Sequence, residues 1–228
     1  MTKAQPAETE PVLDLQLFGL KLGGVPVLGE IRLVVSRSET LALVGPSGIG
    51  KTSLLRIIAG LETNFTGEFE TSGRVSVVFQ EPTLLPWRTV QDNLCIAAGV
   101  TKEQAIIALA EVGLSDRAQD FPNMLSLGQQ RRLALARAFA VKPDLLLMDE
   151  PFVSLDPELV EDMMVLFAKL RAAHQVTTII VTHVQAEAKR LASRIVTLGG
   201  SPGRIVDEVQ NKGAYFQLSE AGVTSSKL

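Results

Sequence analysis

Apolar positions along the chain are spaced as strands near both ends of the sequence and as helices between them. Residues 12–44 alternate apolar and polar positions or form short apolar runs, which is typical of antiparallel strands. Three later segments, 72–80, 145–148 and 177–182, are rich in aliphatic and β-branched residues, and we expect the first of these strands to end at Gln80. The pattern predicts an α/β fold.

Helical spacing and capping residues predict the helices. Residues 51–61 carry four apolar side chains at helical spacing, with Gly60 near the end: Leu54, Leu55, Ile58 and Leu61. Polar residues mark the other starts: Thr89 with Asp92, Thr101 with Gln104 before a stop at Gly113, and Asp156 with Pro157 before a helix reaching about His174. We expect one domain over 1–228, with an α/β lobe (about 12–80 and 141–208), a helical insertion (about 81–140) and a tail (209–228).

Residues 45–52, GPSGIGKT, match the phosphate-loop pattern G-x-x-x-x-G-K-[ST]. Its glycines allow backbone N–H groups to turn toward phosphate oxygens, and the helix that follows would point its positive end at them. Lys51 would carry charge to the outer phosphates, and the Thr52 hydroxyl would bind Mg²⁺. The predicted nucleotide-binding residues of this loop are Gly45, Pro46, Ser47, Gly48, Ile49, Gly50, Lys51, Thr52 and Ser53.

Two adjacent carboxylates, Asp149 and Glu150, follow the apolar run 145–148 directly. Carboxylates at the end of a buried strand repel one another and are costly to desolvate, and a nearby Mg²⁺ relieves that cost. We expect Asp149 to hold Mg²⁺ opposite Thr52, and Glu150 to orient or deprotonate the attacking water. The alternative is a solvated turn at a strand end.

Three further polar residues are candidate site residues only because of their positions in the predicted fold. His183 follows the strand-like run TTIIVT, and Gln80 ends another, at the edge where open α/β sheets bind ligands. Without this position, a histidine such as His183 would more often be a packing or surface residue, and Gln80 would indicate no function. Ser126, with Gly128 and Gln129, precedes a helical stretch from Arg132 to Ala140. Its hydroxyl suits either a simple helix cap or a phosphate contact, because both use the same backbone donors.

Composition excludes several classes of protein. The 228 residues are 46% hydrophobic and only 5% aromatic, which suits an aliphatic core of strands buried on both faces. The net charge of −3 gives no basic field for nucleic acid. The single cysteine, Cys95, excludes an internal disulfide, suits a reducing compartment and is expected to be a small buried residue.

Targeting and membrane signals are weak or missing. The longest apolar runs fall short of the about 18 residues that span a bilayer, and the polar opening lacks the apolar stretch of a secretory signal. The final Ser226-Lys227-Leu228 matches a peroxisomal address, but a match of three residues arises easily by chance.

The order of these motifs resembles the nucleotide-binding subunit of ATP-binding-cassette (ABC) transporters, from about Leu13 to Glu208. The matching segments are GPSGIGKTS, VVFQEPTLLPW, LSLGQQRRLALARA, LLLMDEP, SLDP and VTH. FQEPTLLPW and SPGRI are most similar to bacterial importers of the nitrate, sulfonate, taurine and thiamine-precursor type. The resemblance implies a P-loop NTPase fold with a RecA-like parallel-sheet core, an antiparallel β subdomain and a helical subdomain. It also implies hydrolysis of ATP with Mg²⁺.

The resemblance further implies a head-to-tail dimer with two ATP molecules in the interface. Each ATP would lie between residues 45–53 of one copy and Ser126, Gly128 and Gln129 of the other, and Asp156 would join the two sites. Gln80 and residues 81–87 would sense the γ-phosphate and touch a separate permease at the cytoplasmic face of the bacterial inner membrane. Trp87 suits that contact or a core position equally. A substrate-binding protein would take part indirectly.

The chain departs from the family pattern at four positions. Leu22 stands where an aromatic residue usually stacks on adenine, and base–aromatic stacking contributes about 1–3 kcal/mol. Leu127 replaces the first glycine of the signature, and its bulk is expected to slow dimer closure. Val153 and Val184 replace a serine and an acidic residue. None of these changes removes a catalytic group, so we expect activity, although slow.

Three other functions compete with this interpretation of the sequence. A regulatory cassette that closes on ATP without turnover would be consistent with Leu22 and Leu127. A soluble cassette that works on DNA or ribosomes is disfavoured, because the chain has one cassette, one cysteine and an acidic balance. A small-molecule kinase is disfavoured because nothing in the sequence supplies an acceptor site.

Overall fold

In the computed structural model, which describes residues 10–211, the chain forms two sheets flanked by helices. The strands β1–β10 are Leu13–Leu22, Val25–Leu28, Ile31–Val35, Thr40–Val44, Phe65–Thr71, Val75–Val78, Leu145–Asp149, Thr177–Val181, Arg194–Gly199 and Arg204–Gln210. The helices α1–α6 are Lys51–Ile58, Val90–Ala98, Lys102–Glu111, Leu127–Ala140, Pro157–His174 and Gln185–Leu191.

The first sheet is antiparallel, and β1 is its central strand. β2 and β3 pair one after the other along one edge of β1, and β5 pairs along the opposite edge. Leu13, Leu15 and Leu17 point to one face and are fully buried, as the period of two in their spacing predicts.

The second sheet has the strand order β10-β9-β4-β8-β7-β6. The strands from β9 to β6 are parallel to one another, and β10 is antiparallel to β9. β4, β7 and β8 are buried along their whole length, because both faces of this sheet are covered.

Two apolar clusters fill the space on either side of the parallel sheet. Leu145 and Leu147 contribute to the cluster shared with α1 and the antiparallel sheet. Leu146 and Met148 point the other way and pack with residues of α2–α5. The alternation along β7 thus joins the two sheets and the helices around one central layer.

The predicted caps are present. Thr89 accepts a hydrogen bond from the N–H of Asp92, and Thr101 forms a full capping box with Gln104. Asp156 caps α5, which has Pro157 at its first position and ends at His174. Gly113 follows α3 with a φ of +72°. These starts and stops follow from local chemistry.

Several predicted element bounds are wrong. The strand 72–80 is shorter, since β6 ends at Val78, so Gln80 lies two residues beyond the strand. β8 ends at Val181, one residue before Thr182. The helix predicted to start near Arg132 begins at Leu127. Cys95 is half-buried at the margin of the helical cluster instead of fully buried.

The first helix and the tail also differ from expectation. α1 ends at Ile58, because Gly60 takes a φ of +70°, and Leu61 is consequently 50% exposed. β10 continues through Val209 and Gln210, so the tail begins later than predicted. The rest of the predicted tail, including residues 226–228, lies outside the described residues. The division into a lobe and an insertion stays a prediction.

The turns that lead into three central strands share one backbone feature. Ser38, Lys142 and Gln175 precede β4, β7 and β8, and their φ angles are +60°, +50° and +52°. All three residues are exposed. These turns lie at the edge of the sheet where the strands begin, opposite the edge where they end.

Candidate functional site

Four predicted site segments meet at one edge of the parallel sheet. The loop 45–50 follows β4, His183 follows β8, Glu150 follows β7 and Gln80 follows β6. These four strands are consecutive neighbours and run in the same direction. The carboxyl ends of parallel strands form the crevice in which such sheets bind ligands.

The phosphate loop is packed closely against its surroundings at two glycines. Gly45 has a φ of +148°, and a Cβ there would lie 2.5 Å from the carbonyl oxygen of Leu198. Gly50 has a φ of +103°, and its Cβ would lie 2.5 Å from a methyl group of Leu28. Gly48, at +78°, faces open space. The loop is therefore fixed at its ends and exposed in its middle, where Pro46, Ser47 and Gly48 lie.

Helix α1 begins directly at this loop. Its N-cap is Gly50, which has no side chain to cap the helix. The backbone donors of its first turn thus receive no acceptor from the N-cap residue and face the loop, which favours an anion at this position.

The side chains of Lys51 and Thr52 bind different partners. Lys51 is 5% exposed, and its Nζ donates to the carbonyl oxygens of Gly45 and Pro46, both at 2.9 Å. The Thr52 hydroxyl donates to Oδ1 of Asp149 at 3.0 Å. The ammonium group is thereby held inside the curve of the loop, and the hydroxyl and carboxylate converge as predicted for a metal site.

Asp149 is largely buried at the end of β7. Burial raises its pKa, the hydrogen bond from Thr52 opposes that shift, and the neighbouring Glu150 charge adds to it. A carboxylate in this position gains from a nearby cation. Among residues 10–211, no cluster of three or more acidic, histidine or cysteine side chains could hold a metal alone. Oxygen ligands from Thr52, Asp149 and Gln80 fit Mg²⁺, which commonly combines few protein ligands with substrate phosphates.

Glu150 and His183 lie side by side. Nδ1 of His183 is 3.2 Å from Oε2 of Glu150, and about a fifth of the Glu150 side chain is exposed. Glu150 has a φ of +45°, and its N–H donates to the carbonyl of Val181 at 2.9 Å. The left-handed backbone turns the chain sharply at the strand end and leaves the carboxylate at the edge of the sheet. The pair borders a groove of about 470 Å³ between α5 and α6.

The loop that carries His183 is held by a residue that the sequence patterns did not single out. The Thr182 hydroxyl donates to the carboxylate of Glu187 and accepts from the N–H of Val184 at 3.0 Å. Glu187 is buried, and burial raises its pKa. An acidic residue one turn after the histidine is the only sequence signal for this support.

The predicted signature residues form the start of α4. The Ser126 hydroxyl accepts from the N–H of Gln129 at 3.3 Å, and the Gln129 side chain accepts from the N–H of Ser126 at 2.9 Å. Gly128 is buried, and a Cβ there would lie 2.8 Å from a methyl group of Leu159 on α5. Asp156 is exposed and uses Oδ1 to cap α5 at 2.9 Å. The capping role of Ser126 is present, and a phosphate contact with a second copy stays a prediction.

Leu22 is the last residue of β1 and pairs with Val25 across the Gly23–Gly24 turn. It is 43% exposed. Val27 and Leu28 of the same hairpin approach the position of a Gly50 Cβ to within 3.2 Å. The hairpin therefore lies against the phosphate loop, and Leu22 stands near its tip as an exposed apolar side chain.

Comparison with known proteins gives the family. Residues 28–153 match the family model described as ABC transporter. An aliphatic sulfonates import ATP-binding protein of Burkholderia lata is 40% identical over 210 residues, which cover 87% of this chain and 77% of that protein. A protein of the same name from Agrobacterium fabrum is 41% identical over 217 residues, covering 92% and 78%.

Solved structures agree with the fold. A dimeric ATP-binding cassette in a post-hydrolysis state with ADP and Pi has a TM-score of 0.76 at 28% identity, covering 88% of this chain and 99% of that one. The cbiO1 protein from Clostridium perfringens, part of the ABC transporter complex cbiONQ, has a TM-score of 0.79 at 22% identity, covering 92% of both chains. The predicted fold class is confirmed, and the chain belongs to the ABC transporter family of ATP-binding proteins.

Proposed function

We propose that this chain is the ATP-hydrolysing subunit of an importer, acting as a head-to-tail pair beside a separate permease. The observation that carries the proposal is the convergence of the phosphate loop, Asp149, Glu150 and His183 at the ends of neighbouring parallel strands. The Thr52–Asp149 contact of 3.0 Å joins the phosphate loop to the end of β7, and the Glu150–His183 contact of 3.2 Å joins the end of β7 to the end of β8.

In the proposed reaction, water attacks the γ-phosphorus of ATP, and the bond to the β-phosphate oxygen breaks. Glu150 accepts or orients the proton of that water, a role that contributes about 10²–10⁴ in rate. His183, 3.2 Å from Glu150, holds the carboxylate in position and contacts the terminal phosphate. Lys51 carries positive charge to the outer phosphates. Mg²⁺, when held by Thr52, Asp149 and Gln80, would supply charge neutralisation.

The second copy would complete the site. Ser126, Gly128 and Gln129 stand at the start of α4, where Ser126 is exposed, and Asp156 is exposed at the start of α5. A relative of similar fold was solved as a dimer with ADP and Pi. We propose that each copy covers the nucleotide of the other with this surface, and that ATP closes the pair because it binds the closed state more tightly.

The permease contact is supported by exposed apolar side chains of the helical segment. Trp87 is 68% exposed, which excludes the core position considered for it, and Ile107 on α3 is 63% exposed. Ile96 and Ile106 are also exposed. Exposed apolar side chains are one mark of an interaction surface when they lie together. We propose that residues 81–87 and these side chains face a membrane subunit on the cytoplasmic side. No helix among residues 10–211 combines the length and the apolar character needed to cross a membrane.

The names of the relatives support a proposal for the direction of transport and for the cargo. Proteins about 40% identical over most of this chain are named for aliphatic sulfonate import. We propose import, with aliphatic sulfonates as the first solutes to test together with a permease and a substrate-binding protein. The cargo would be selected by those partners.

The test is ATP-driven dimerisation of the Glu150→Gln protein. With hydrolysis removed, ATP is expected to convert monomers into dimers that persist during gel filtration, whereas the unchanged protein releases phosphate and returns to monomers. Glu103→Gln, an exposed change on the first turn of α3, serves as the control and should behave as the unchanged protein. Persistent monomers of Glu150→Gln at saturating ATP would contradict the proposal.

A further inference from the structure

Arg131 is a buried cation on α4 that the reaction described above does not use. It is 6% exposed and lies one and a half turns after Ser126 on the helix that begins with the signature residues. Burying a guanidinium is unfavourable unless polar partners replace water. Its partners therefore indicate what the residue does.

The guanidinium joins two loops that carry site residues. Nη1 donates to the carbonyl oxygen of Gln80, and Nη2 donates to the carbonyl oxygen of Val153 at 3.3 Å. Val153 lies three residues after Glu150, and its own N–H donates to the Glu150 carbonyl at 3.3 Å. One side chain thus connects α4, the Gln80 loop and the Glu150 loop.

Arginine suits this position because its planar group donates in two directions from fixed angles. Nε has no partner among residues 10–211, so the two carbonyls are the contacts that hold the buried group. Burial lowers the pKa of Arg131, and the charge of Glu81 opposes that shift. A lysine could reach one carbonyl but could not span both.

The attachment of the loop after Gln80 to α4 does not depend on Arg131 alone, because a second arginine of α4 also binds that loop. Arg137, two turns further along α4, donates to the carbonyls of Pro82 and Thr83 at 3.0 and 2.8 Å and to the Thr83 hydroxyl at 2.9 Å. The loop after Gln80 would therefore stay attached to α4 without Arg131. The link from α4 and Gln80 to Val153 is specific to Arg131.

We propose that Arg131 is a positioning residue that makes Gln80, the Glu150 loop and the start of α4 move as one unit when ATP closes the dimer. The proposal rests on the proposed function, since it requires an ATP-driven dimer. One side chain would thus couple the hydrolytic groups of a copy to the surface with which that copy contacts the second copy.

The test compares Arg131→Met with Arg132→Met in the full-length chain. Arg132 is the next residue of the helix, and its contacts go to the Val112 carbonyl at 3.4 Å and to Asp162 at 3.9 Å. The measured quantities are the affinity for fluorescent ADP, the ATP concentration that half-dimerises each variant in the Glu150→Gln background, the Tm, and kcat and KM in the hydrolysing background.

For Arg131→Met we expect ADP affinity within about twofold of the unchanged protein, because the phosphate loop is untouched. The ATP concentration for half-dimerisation should rise at least about tenfold, a change of about 1.4 kcal/mol. In the hydrolysing background, kcat should fall with little change in KM. Arg131→Lys should restore part of the loss.

The outcomes distinguish this inference from the proposed function. If Glu150→Gln with Arg131 intact stays monomeric, the proposed function fails. If it dimerises, and Arg131→Met needs no more ATP than Arg132→Met at a comparable Tm, the positioning role of Arg131 is wrong. A loss of ADP affinity equal to the loss of dimerisation would indicate general unfolding and would also overturn the inference.

Discussion

At the scale of single residues, the site contains features that the reaction requires but that lower the stability of the fold. Glu150 adopts a left-handed backbone, which costs a non-glycine residue about 1–2 kcal/mol. Asp149 is buried next to a second carboxylate. Both features place a carboxylate at the sheet edge. Substitutions at these two positions would remove the cost in stability and would also remove activity.

The backbone cost at Glu150 can be measured with a matched pair of variants. Glu150→Gly and Glu150→Ala both remove the carboxylate, but only glycine adopts a φ of +45° without penalty. We expect the glycine variant to be more stable than the alanine variant by about 1 kcal/mol in urea unfolding. Equal stabilities, or a more stable alanine variant, would show that the left-handed conformation is not strained.

The pKa of Asp149 predicts a pH-dependent gain in stability for Asp149→Asn. Because burial raises this pKa above its ordinary value of 3.8, the folded state binds the proton more tightly than the unfolded state. The unchanged protein therefore loses stability as the pH rises from 3.8 through the raised pKa, and the asparagine variant does not.

The measurement is the difference in urea midpoint between the two proteins from pH 4 to pH 7.5. The advantage of Asp149→Asn should be largest at pH 7.5, without nucleotide or Mg²⁺, and should shrink toward pH 4. The exposed Asp116→Asn is the control, and its difference should vary little with pH. A gain for Asp149→Asn that is independent of pH would argue against burial as its cause.

At the scale of elements, the hairpin of β1 and β2 packs against the phosphate loop through Val27 and Leu28 and carries Leu22 near its tip. Leu22→Tyr is expected to raise ATP affinity about fivefold, the lower end of what base–aromatic stacking contributes. Equilibrium binding of a fluorescent ATP analogue measures the change. Lys21→Tyr, on the neighbouring position of the same strand, is the control. No gain for Leu22→Tyr relative to that control would contradict the adenine-side placement of Leu22.

Much of the element order could be predicted from sequence because the relevant signals are local. The caps at Thr89, Thr101 and Asp156 depend on residues three positions away, and the structure contains each of them. The phosphate loop depends on a short glycine pattern. Family and fold followed from the order of such motifs.

Other features depend on partners that are distant in the sequence. β6 pairs with β7 only from Val75 to Val78, and it is an edge strand, with no second neighbour among residues 10–211 to extend it to Gln80. Arg131 lies on a helix whose sequence offers several arginines, and nothing local shows which one is buried against two carbonyls. The contact of Gly128 with Leu159 likewise needs the packing of α4 on α5.

At the scale of the whole molecule, Leu127 is an exposed apolar residue at the surface proposed to meet the second copy. It is 46% exposed at the first position of α4. Leu127→Gly should lower the ATP concentration needed for half-dimerisation of the Glu150→Gln protein severalfold, because the bulk at the contact is removed. The variant should also lose less than about 1 kcal/mol of stability, because that is the cost of a glycine inside a helix and Leu127 is the first residue of α4.

Sedimentation at a series of ATP concentrations measures this requirement. Met124→Ala, which shortens another exposed apolar side chain just before α4, is the control. If Leu127→Gly dimerises with the same ATP requirement as the unchanged protein, or needs more ATP, Leu127 does not hinder closure.

The turns at Ser38, Lys142 and Gln175 have a practical consequence for experiments on this chain. They stand at the starts of β4, β7 and β8, about 16 Å from the ends of these five-residue strands. A dye or a surface tether attached there would be separated from the nucleotide by the full height of the sheet. A cysteine introduced at Lys142, after replacement of Cys95, would provide such an attachment point for single-molecule recordings of opening and closing.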